Sequence, residues 1–357
     1  MSRDARTGPA RARAAAGGRP AGRPSARRSG SGGPSATPVT APSSDGLVVG
    51  PVPRGARVTG VLLLLAALAG VAACFPTYLV VGGHALPATT GFGSVLAALL
   101  VPLAHAAMGV SLLRWSVPKF GLAYAAVAGG LALGELLIEI YRGRSSTTRP
   151  SVEVLAGERV LTSSVDPGAG WVLGVVALAL TLVAGVCAAS TWGRTVMEDG
   201  GALDAVRSGL AAGAVLLGVT TVLCLSIPAA DVPDQLRTDP ATGLQTVVTQ
   251  EGPQALLERP GLALLGGLLL AGAIVLCSVI APSLRPRLGA VGGLLAISVA
   301  VLNAGLTGLR DASSPDLEWT LPGAGLIATG LGYLALTVLA WRVRRAPSLN
   351  ARPGRRS

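Results

Sequence analysis

Long apolar stretches alternate with short polar connections along most of the chain. Each stretch has about 18 residues or more, which is enough for a helix rising about 1.5 Å per residue to cross roughly 30 Å of hydrocarbon. This pattern predicts an all-α fold, a polytopic membrane bundle of about eight transmembrane helices. The predicted spans are 59–75, with an end that could reach Val81, then 91–113, 117–141, 170–192, 208–230, 261–281, 288–309 and 321–341.

Composition supports a membrane protein and excludes an ordinary soluble domain. Half of the residues are hydrophobic, the mean hydropathy is +0.59, and only 13% are charged, whereas soluble domains average about 25%. Residues 1–56 are mostly Ser, Pro, Gly, Ala and Arg, which cannot bury enough apolar surface to fold. We therefore expect a disordered basic tail at 1–56, a transmembrane domain at 57–342 and a second disordered basic tail at 343–357.

The distribution of charge predicts the orientation in the membrane. With the N-terminus inside, the inner segments hold 22 basic and five acidic residues, while the outer loops hold seven basic and eleven acidic ones. Basic residues accumulate on the cytoplasmic side of membrane proteins. We therefore expect a plasma-membrane protein with both termini in the cytoplasm, and the net charge of +11 reflects topology and indicates no nucleic-acid partner.

The tryptophans agree with these spans. Trp115, Trp192 and Trp341 fall at predicted inner ends of helices, and Trp171 and Trp319 fall at predicted outer ends. Indole rings favour the headgroup region, where the N–H group meets water.

The spans pair into four helix–loop–helix hairpins, each of which starts inside. Three returning helices open on a Pro-Gly pair, at Pro167-Gly168, Pro260-Gly261 and Pro322-Gly323. Proline suits the first turn of a helix because its missing N–H would be unpaired there. The outer loops contain strand-like runs that predict short β-hairpins. These runs are 78–81 with 84–86, 151–155 with 159–165, and an isolated run at 246–249.

Phe75-Pro76 and the Pro-Gly helix starts are features of the overall topology, and they are spread over most of residues 57–341. In these features the chain resembles uncharacterised actinobacterial multi-pass membrane proteins. The resemblance implies a membrane location and no particular activity.

Three ionisable residues within the spans form a candidate intramembrane polar site, because buried charge is costly and commonly functional. Glu135 and Glu139 lie one turn apart on one face of the third helix, and His105 lies in the inner half of the second. One interpretation is a cation or proton site facing the bundle. The other, which we favour from sequence, is that Glu139 pairs with Arg142 or Arg144 and holds Glu135 by a hydrogen bond. For His105 we favour a neutral ring bonded to the backbone or a hydroxyl.

Small residues are candidates for helix packing. Glycines spaced by four allow close approach of helix backbones within a membrane, and they occur at Gly130/Gly134, Gly170/Gly174 and Gly209/Gly213. Asn303 is a candidate for a hydrogen bond between helices.

No metal, cofactor or catalytic site is predicted. Of the two histidines, His84 is predicted outside the membrane and His105 in the inner half of the second span, which makes a His-based zinc site improbable. The four cysteines lie in apolar stretches without metal-binding spacing, and the motifs of serine hydrolases, metalloproteases and nucleotide-binding loops are missing. The acidic residues Asp231, Asp234 and Asp239 are interpreted as a solvated outer loop.

Two functions remain open from sequence. The preferred one is a non-enzymatic membrane protein of the cell envelope that acts through helix packing and a membrane protein partner. We prefer this function because the sequence does not predict a set of polar side chains that meet at one site. The alternative is a small-solute or ion transporter, or a transporter subunit, that uses Glu135 and Glu139. The partners expected in either case are the bilayer and, for the Arg-rich tails, anionic lipids.

Overall fold

The computed structural model describes the bundle and part of its connections. The described residues are 48–50, 53–81, 84–89, 91–144, 153–155, 158–160, 165–198, 203, 206–231, 235–238, 245–248, 255, 261–311 and 318–343. All of them belong to one compact unit, Ser43–Ser357. Residues 1–47 and 344–357 of the predicted tails, and Asp234 and Asp239 of the acidic loop, lie outside the described residues.

Among the described residues, eight helices are long and apolar enough to cross a membrane, which confirms the predicted number. They are α1 (Arg54–Ala72), α2 (Gly91–Leu113), α3 (Pro118–Arg142), α4 (Ala169–Trp192), α5 (Arg207–Leu225), α6 (Leu262–Ile280), α7 (Arg287–Asp311) and α8 (Leu321–Arg342).

The largest differences from the predicted spans occur at α1 and α5. The α1 helix begins at Arg54, inside the predicted tail, because arginine is a good helix former and its charge can remain outside the apolar region. It ends at Ala72, before Pro76. The α5 helix ends at Leu225 and not at Ala230, because the residue before Pro228 is disfavoured in helical conformation.

Short strands occupy the connections, so the fold is mostly helical with small sheets added. The described strands are β1 (Val48–Val49), β2 (Thr77–Val81), β3 (His84–Pro87), β4 (Glu153–Leu155), β5 (Glu158–Val160), β6 (Val165–Pro167), β7 (Met197–Glu198), β8 (Ala230–Asp231), β9 (Gln235–Thr238), β10 (Gln245–Val248) and β11 (Glu318–Trp319).

Two of the predicted hairpins are confirmed, since β2 pairs with β3 and β4 pairs with β5, both antiparallel. The predicted run at 246–249 corresponds to β10, which pairs with β9. The β9 strand was not predicted, because Gln-Leu-Arg-Thr lacks the apolar alternation that predicts a strand. In the predicted N-terminal tail, β1 pairs with β7.

Consecutive helices run in opposite directions. At the end of the bundle where α1 begins, the Arg57 guanidinium lies 4.0 Å from the Trp115 ring centroid and the Lys119 amine 5.4 Å from that of Trp192. We call this the basic end. At the opposite end, the far end, the Trp171 Nε1 group donates to the Glu139 carbonyl oxygen at 2.8 Å. All five tryptophans lie at or beside helix ends.

The centre of the bundle is formed by α3 and α7. Within the most apolar 18-residue segment of each helix, 61% of the residues of α3 and 72% of those of α7 are buried, whereas the share is at most 39% for each of the other six helices. The largest enclosed side chains include Tyr124 on α3, Leu294 and Ile297 on α7, and Tyr333 on α8. The Tyr333 hydroxyl lies 2.6 Å from Ser278 Oγ and 3.0 Å from the Ala214 carbonyl oxygen, and so links α8 to α6 and α5.

The four hairpins assemble into two similar halves of four helices. In the first half, α1 packs on α2 and α4, and α3 packs on α4; in the second half, α5 packs on α6 and α8, and α7 packs on α8. A strand that follows the first helix pairs with one that precedes the fourth, as β2–β6 and as β8–β11. The halves meet through α3 with α7, α2 with α7, and α3 with α6. This arrangement is a parallel internal repeat.

Glycines bring several helix pairs into backbone contact. A Cβ added to Gly129 on α3 would lie 2.6 Å from the Cα of Gly185 on α4, and one added to Gly134 would lie 2.7 Å from the Gly266 carbonyl oxygen on α6. Such contacts leave no room for a side chain and strengthen van der Waals packing.

The predicted packing glycines occupy different environments. Gly134 and Gly170 are in tight contact, since a Cβ added to Gly170 would lie 3.0 Å from the Pro76 carbonyl oxygen. A Cβ at Gly130 or Gly213 would meet only side chains, at 4.0 Å and 3.5 Å. For Gly174 and Gly209 it would meet no described atom within 4 Å. Spacing alone does not identify which face of a helix is packed, because glycines with the same spacing can face a neighbouring helix, a cavity or lipid.

Candidate functional site

A cavity of about 580 Å³ lies inside the bundle and is lined by residues from all eight helices. It reaches the far end, where Tyr78, Pro87 and Pro228 of the connections line it. Toward the basic end it is closed by close packing of α3 on α7, since a Cβ at Gly292 would collide with the Phe120 carbonyl oxygen.

Small side chains on the central helices leave this space open. Ala128 and Ala132 on α3, and Ala296 and Ala300 on α7, line the cavity. Residues four apart lie on the same face of a helix, so each helix turns a row of methyl groups toward the cavity. Gly174 on α4 adds space on the opposite wall.

Glu139 lies on the cavity wall near the far end and has two side-chain partners. Its Oε2 atom lies 3.3 Å from Arg142 Nη1, and the Tyr78 hydroxyl donates to its Oε1 atom. The pair with Arg142 is one of the two that the sequence analysis expected. Burial, together with the Glu139 carboxylate, raises the pKa of the Tyr78 hydroxyl, while Arg142 opposes this effect. Tyr78 therefore remains a protonated donor.

Glu135 lies one turn deeper and also lines the cavity. Within the described part of the chain its carboxylate makes no hydrogen bond or ion pair, and its electrostatic neighbours are Glu139 and Tyr124. The expected hydrogen bond from Glu139 is not formed, because the Glu139 oxygens are occupied by Arg142 and Tyr78. Glu135 thus presents two acceptor oxygens to the cavity without a partner.

His105 lies deeper still, on α2, and its side chain is only 5% exposed. Its Nδ1 atom is 2.9 Å from the Val101 carbonyl oxygen, which only accepts, so Nδ1 carries the proton and donates. This is the backbone bond that the sequence interpretation favoured. The buried Nε2 atom is then an acceptor, and it has no hydrogen-bond partner among the described residues.

Tyr124 on α3 packs against His105. Its ring meets the His105 ring edge-on, with 5.7 Å between the centroids. His105, Tyr124, Glu135 and Glu139 line one continuous cavity.

The α7 wall contributes Asn303, Thr307 and Arg310. The Thr307 hydroxyl donates to the Asn303 carbonyl oxygen at 2.8 Å, and Arg310 Nη1 donates to the Ala88 carbonyl oxygen at 3.1 Å. Asn303, a predicted packing residue, lies on the cavity wall.

Unpaired acceptors in an apolar cavity favour a ligand that is a hydrogen-bond donor, above all a cation. Among the described residues no group of three His, Cys, Asp or Glu side chains could hold a metal ion. The cavity-lining Cys74 is a free thiol whose pKa is raised by burial, which makes it a poor nucleophile. The groups that line the cavity are suited to binding a ligand.

Comparison of the chain with family models, curated proteins and solved structures finds no match.

Proposed function

We propose that this chain is a multi-pass transporter of the plasma membrane that binds a small cationic solute in the central cavity and carries it across the bilayer. The observation that carries the proposal is that Glu135, whose carboxylate has no partner among the described residues, lines one cavity with His105 and Asn303 inside an apolar bundle. Ionisable groups at membrane depth are costly unless they serve a function.

The cavity changes the balance between the two functions left open by the sequence. The preference for a packing and partner-binding protein rested on the lack of a convergent polar site. Polar side chains of α2, α3 and α7 line one cavity of about 580 Å³, a volume typical of small-molecule sites. Transport by Glu135 is thereby favoured over a purely structural role.

The direction of access follows from the charges. The basic end carries Arg57, Arg114, Lys119 and Arg342, and the positive-inside rule orients such an end toward the cytoplasm. The cavity reaches the far end and is closed toward the basic end, which supports an outward-facing state.

The Arg-rich tails fit a role at the inner leaflet. Each arginine near anionic lipid contributes about 1 kcal/mol of attraction. We propose that the tails hold the basic end against anionic headgroups; an acidic cytoplasmic partner is a second use of the same charge.

Flux measurements on the full chain test the proposal. The purified protein is reconstituted in liposomes, and charge movement is recorded while small ammonium compounds, Na⁺ and K⁺ are applied in turn. We expect a current with at least one of these cations and a loss of at least tenfold in Glu135→Gln, because the amide removes the charge that attracts the cation.

The matched control is Ser278→Ala, which removes a buried hydroxyl of the α6–α8 contact away from the cavity. It should keep the flux. If no cation gives a current, or if Glu135→Gln transports as well as the native chain, the proposed function is wrong.

A further inference from the structure

The two central helices begin with the same pattern of residues. Pro118-Lys119-Phe120-Gly121 opens α3, and Pro286-Arg287-Leu288-Gly289 opens α7. A shift of 168 residues superposes the two segments. Both helices have 25 residues and take the same place in their respective halves, so the shift equates structurally corresponding positions.

With this shift, the cavity-lining residues of α3 fall on cavity-lining residues of α7. Ala128, Leu131 and Ala132 correspond to Ala296, Val299 and Ala300. The polar pairs are Glu135 with Asn303, Glu139 with Thr307, and Arg142 with Arg310. Agreement at apolar and polar positions alike shows that the two helices turn the same face to the cavity.

The side chain of Asn303 supports a role facing the cavity. Its amide makes no hydrogen bond to any residue in the described part of the chain; the bond from Thr307 goes to the main-chain oxygen. An asparagine that joins two helices would use its side-chain amide in a hydrogen bond to the neighbouring helix. Asn303 therefore resembles Glu135, its counterpart, in presenting an unused polar group to the cavity.

We infer that Asn303 determines ligand specificity, and that the ligand is a small organic ammonium compound that also carries a neutral amide or hydroxyl group. The inference rests on the proposed function and extends it from a cation to a class of compounds. Glu135 of the first half receives the ammonium group, and Asn303 of the second half receives the neutral group.

The chemistry of the two walls is complementary to such a ligand. A carboxylate only accepts, and an ammonium group offers three N–H donors to it. An asparagine amide both donates and accepts, which matches a neutral amide or hydroxyl. A glutamate in place of Asn303 would favour a dication, so the asparagine restricts the site to a single positive charge.

Three probes of similar size separate the contributions. They are β-alaninamide, with an ammonium and an amide, pentylammonium, with the ammonium only, and butanamide, with the amide only. Binding to the full chain in nanodiscs is measured by ligand-observed NMR titration. On the native chain we expect β-alaninamide to bind about tenfold more tightly than pentylammonium, which is the worth of about one hydrogen bond, and butanamide to bind most weakly.

Substitutions then assign the groups to the residues. In Asn303→Leu the ratio of the two ammonium Kd values should fall from about ten to near one, because the neutral contact is lost. In Glu135→Asn both ammonium compounds should weaken about tenfold or more. Adding Asn303→Glu to Glu135→Asn moves the carboxylate to the equivalent position, and we expect β-alaninamide binding to return to within about threefold of native.

Ser298→Ala serves as the control on the same helix, since Ser298 donates to the Gly330 carbonyl oxygen and does not line the cavity. It should leave the ratio of Kd values at about ten. Suppose that the native chain binds β-alaninamide and pentylammonium with equal Kd values, and that Glu135→Asn abolishes the binding of both. The proposed function then stands, and the inference about Asn303 is overturned. If neither ammonium compound binds more tightly than butanamide, both are overturned. Failure of the double variant to recover binding overturns the equivalence of the two positions.

Discussion

Two glutamates one turn apart on α3 have different surroundings. Glu139 is held by Arg142 and Tyr78, whereas Glu135 has neither a hydrogen bond nor an ion pair among the described residues. The difference follows from depth. Glu139 lies close enough to the far end to meet a residue of β2 and the last turn of α3, while Glu135 lies one turn deeper on the cavity wall. We therefore assign structure to Glu139 and ligand binding to Glu135.

Removal of the Tyr78 hydroxyl tests the structural role of Glu139. In Tyr78→Phe the carboxylate loses a charge-assisted hydrogen bond, and we expect the free energy of unfolding to fall by about 1–2 kcal/mol. The measurement is the thermal unfolding of the purified protein in detergent. Cation binding at Glu135 should be retained, because the substitution leaves that side chain in place.

The same variant has a characteristic pH dependence. The raised pKa of the Tyr78 hydroxyl means that the folded state favours the protonated form. Its contribution is complete below the ordinary tyrosine pKa of about 10 and is lost as the pH rises above that value. The native chain should therefore lose more stability than Tyr78→Phe between about pH 9 and pH 11. Equal losses in the two proteins would show that Tyr78 does not contribute.

Sequence identified some members of the site and not others. Glu135, Glu139 and His105 are recognisable because an ionisable group within an apolar span needs an explanation. Tyr78 and Tyr124 give no such signal, since tyrosine is common in helices and loops of every kind. Their roles depend on which helices become neighbours. The 168-residue repeat was the available signal for Asn303, because it aligns this residue with Glu135.

At the scale of single helices, α3 shows why a glycine pattern does not by itself define a contact. Gly129 and Gly130 are adjacent in sequence, yet a Cβ added to Gly129 would lie 2.6 Å from the Gly185 Cα, whereas one added to Gly130 would lie 4.0 Å from the Cys277 Sγ. Consecutive residues on a helix point about 100° apart. Gly130 was predicted as a packing residue from its spacing to Gly134, and the tighter contact belongs to Gly129.

These two glycines form a matched pair of test sites. Gly129→Ala forces a methyl group into the α4 backbone, and we expect a loss of about 1–3 kcal/mol in the free energy of unfolding. Gly130→Ala gains up to about 1 kcal/mol of helix propensity without a clash, so its stability should equal or exceed that of the native protein. Thermal unfolding of both variants provides the comparison. A destabilisation by Gly130→Ala as large as that by Gly129→Ala would contradict the packing of α3 on α4.

The positions of the elements were more predictable than their partners. The α2 helix was predicted at 91–113, and the structure has the same bounds, because hydrophobicity fixes the length of a membrane-spanning helix. The pairing of β8 with β11 was not predicted. These strands have two residues each and are more than 80 positions apart in sequence, so no local pattern indicates their contact.

On the scale of the whole molecule, the two halves are alike in topology and unlike in the chemistry of the central site. The first half supplies Glu135, His105 and most of the small residues that line the cavity, and the second half supplies Asn303, Thr307 and Arg310. A site between two halves can change its exposure when one half moves against the other, which is the arrangement of many transporters. The repeat thus offers a physical basis for alternating access at a fixed site.

Orientation in the membrane is the remaining property of the whole molecule, and labelling with a membrane-impermeant maleimide tests it. In a background with Cys74, Cys187, Cys224 and Cys277 replaced by alanine, Glu318→Cys places an exposed thiol at the far end and Arg114→Cys places one at the basic end. We expect intact cells to label Glu318→Cys and to label Arg114→Cys only after permeabilisation, because the basic end should face the cytoplasm.

The opposite labelling pattern would place the far end inside. The cavity, which reaches that end, would then be open to the cytoplasm, and the same site would receive its cation from within the cell. The same labelling, applied to the liposomes, shows which end of the reconstituted chains faces outward. A flux assay with the solute on one side of the liposome then distinguishes the two arrangements independently. Agreement of flux direction with labelling would connect the charge distribution of the sequence to the direction in which the proposed transporter is loaded.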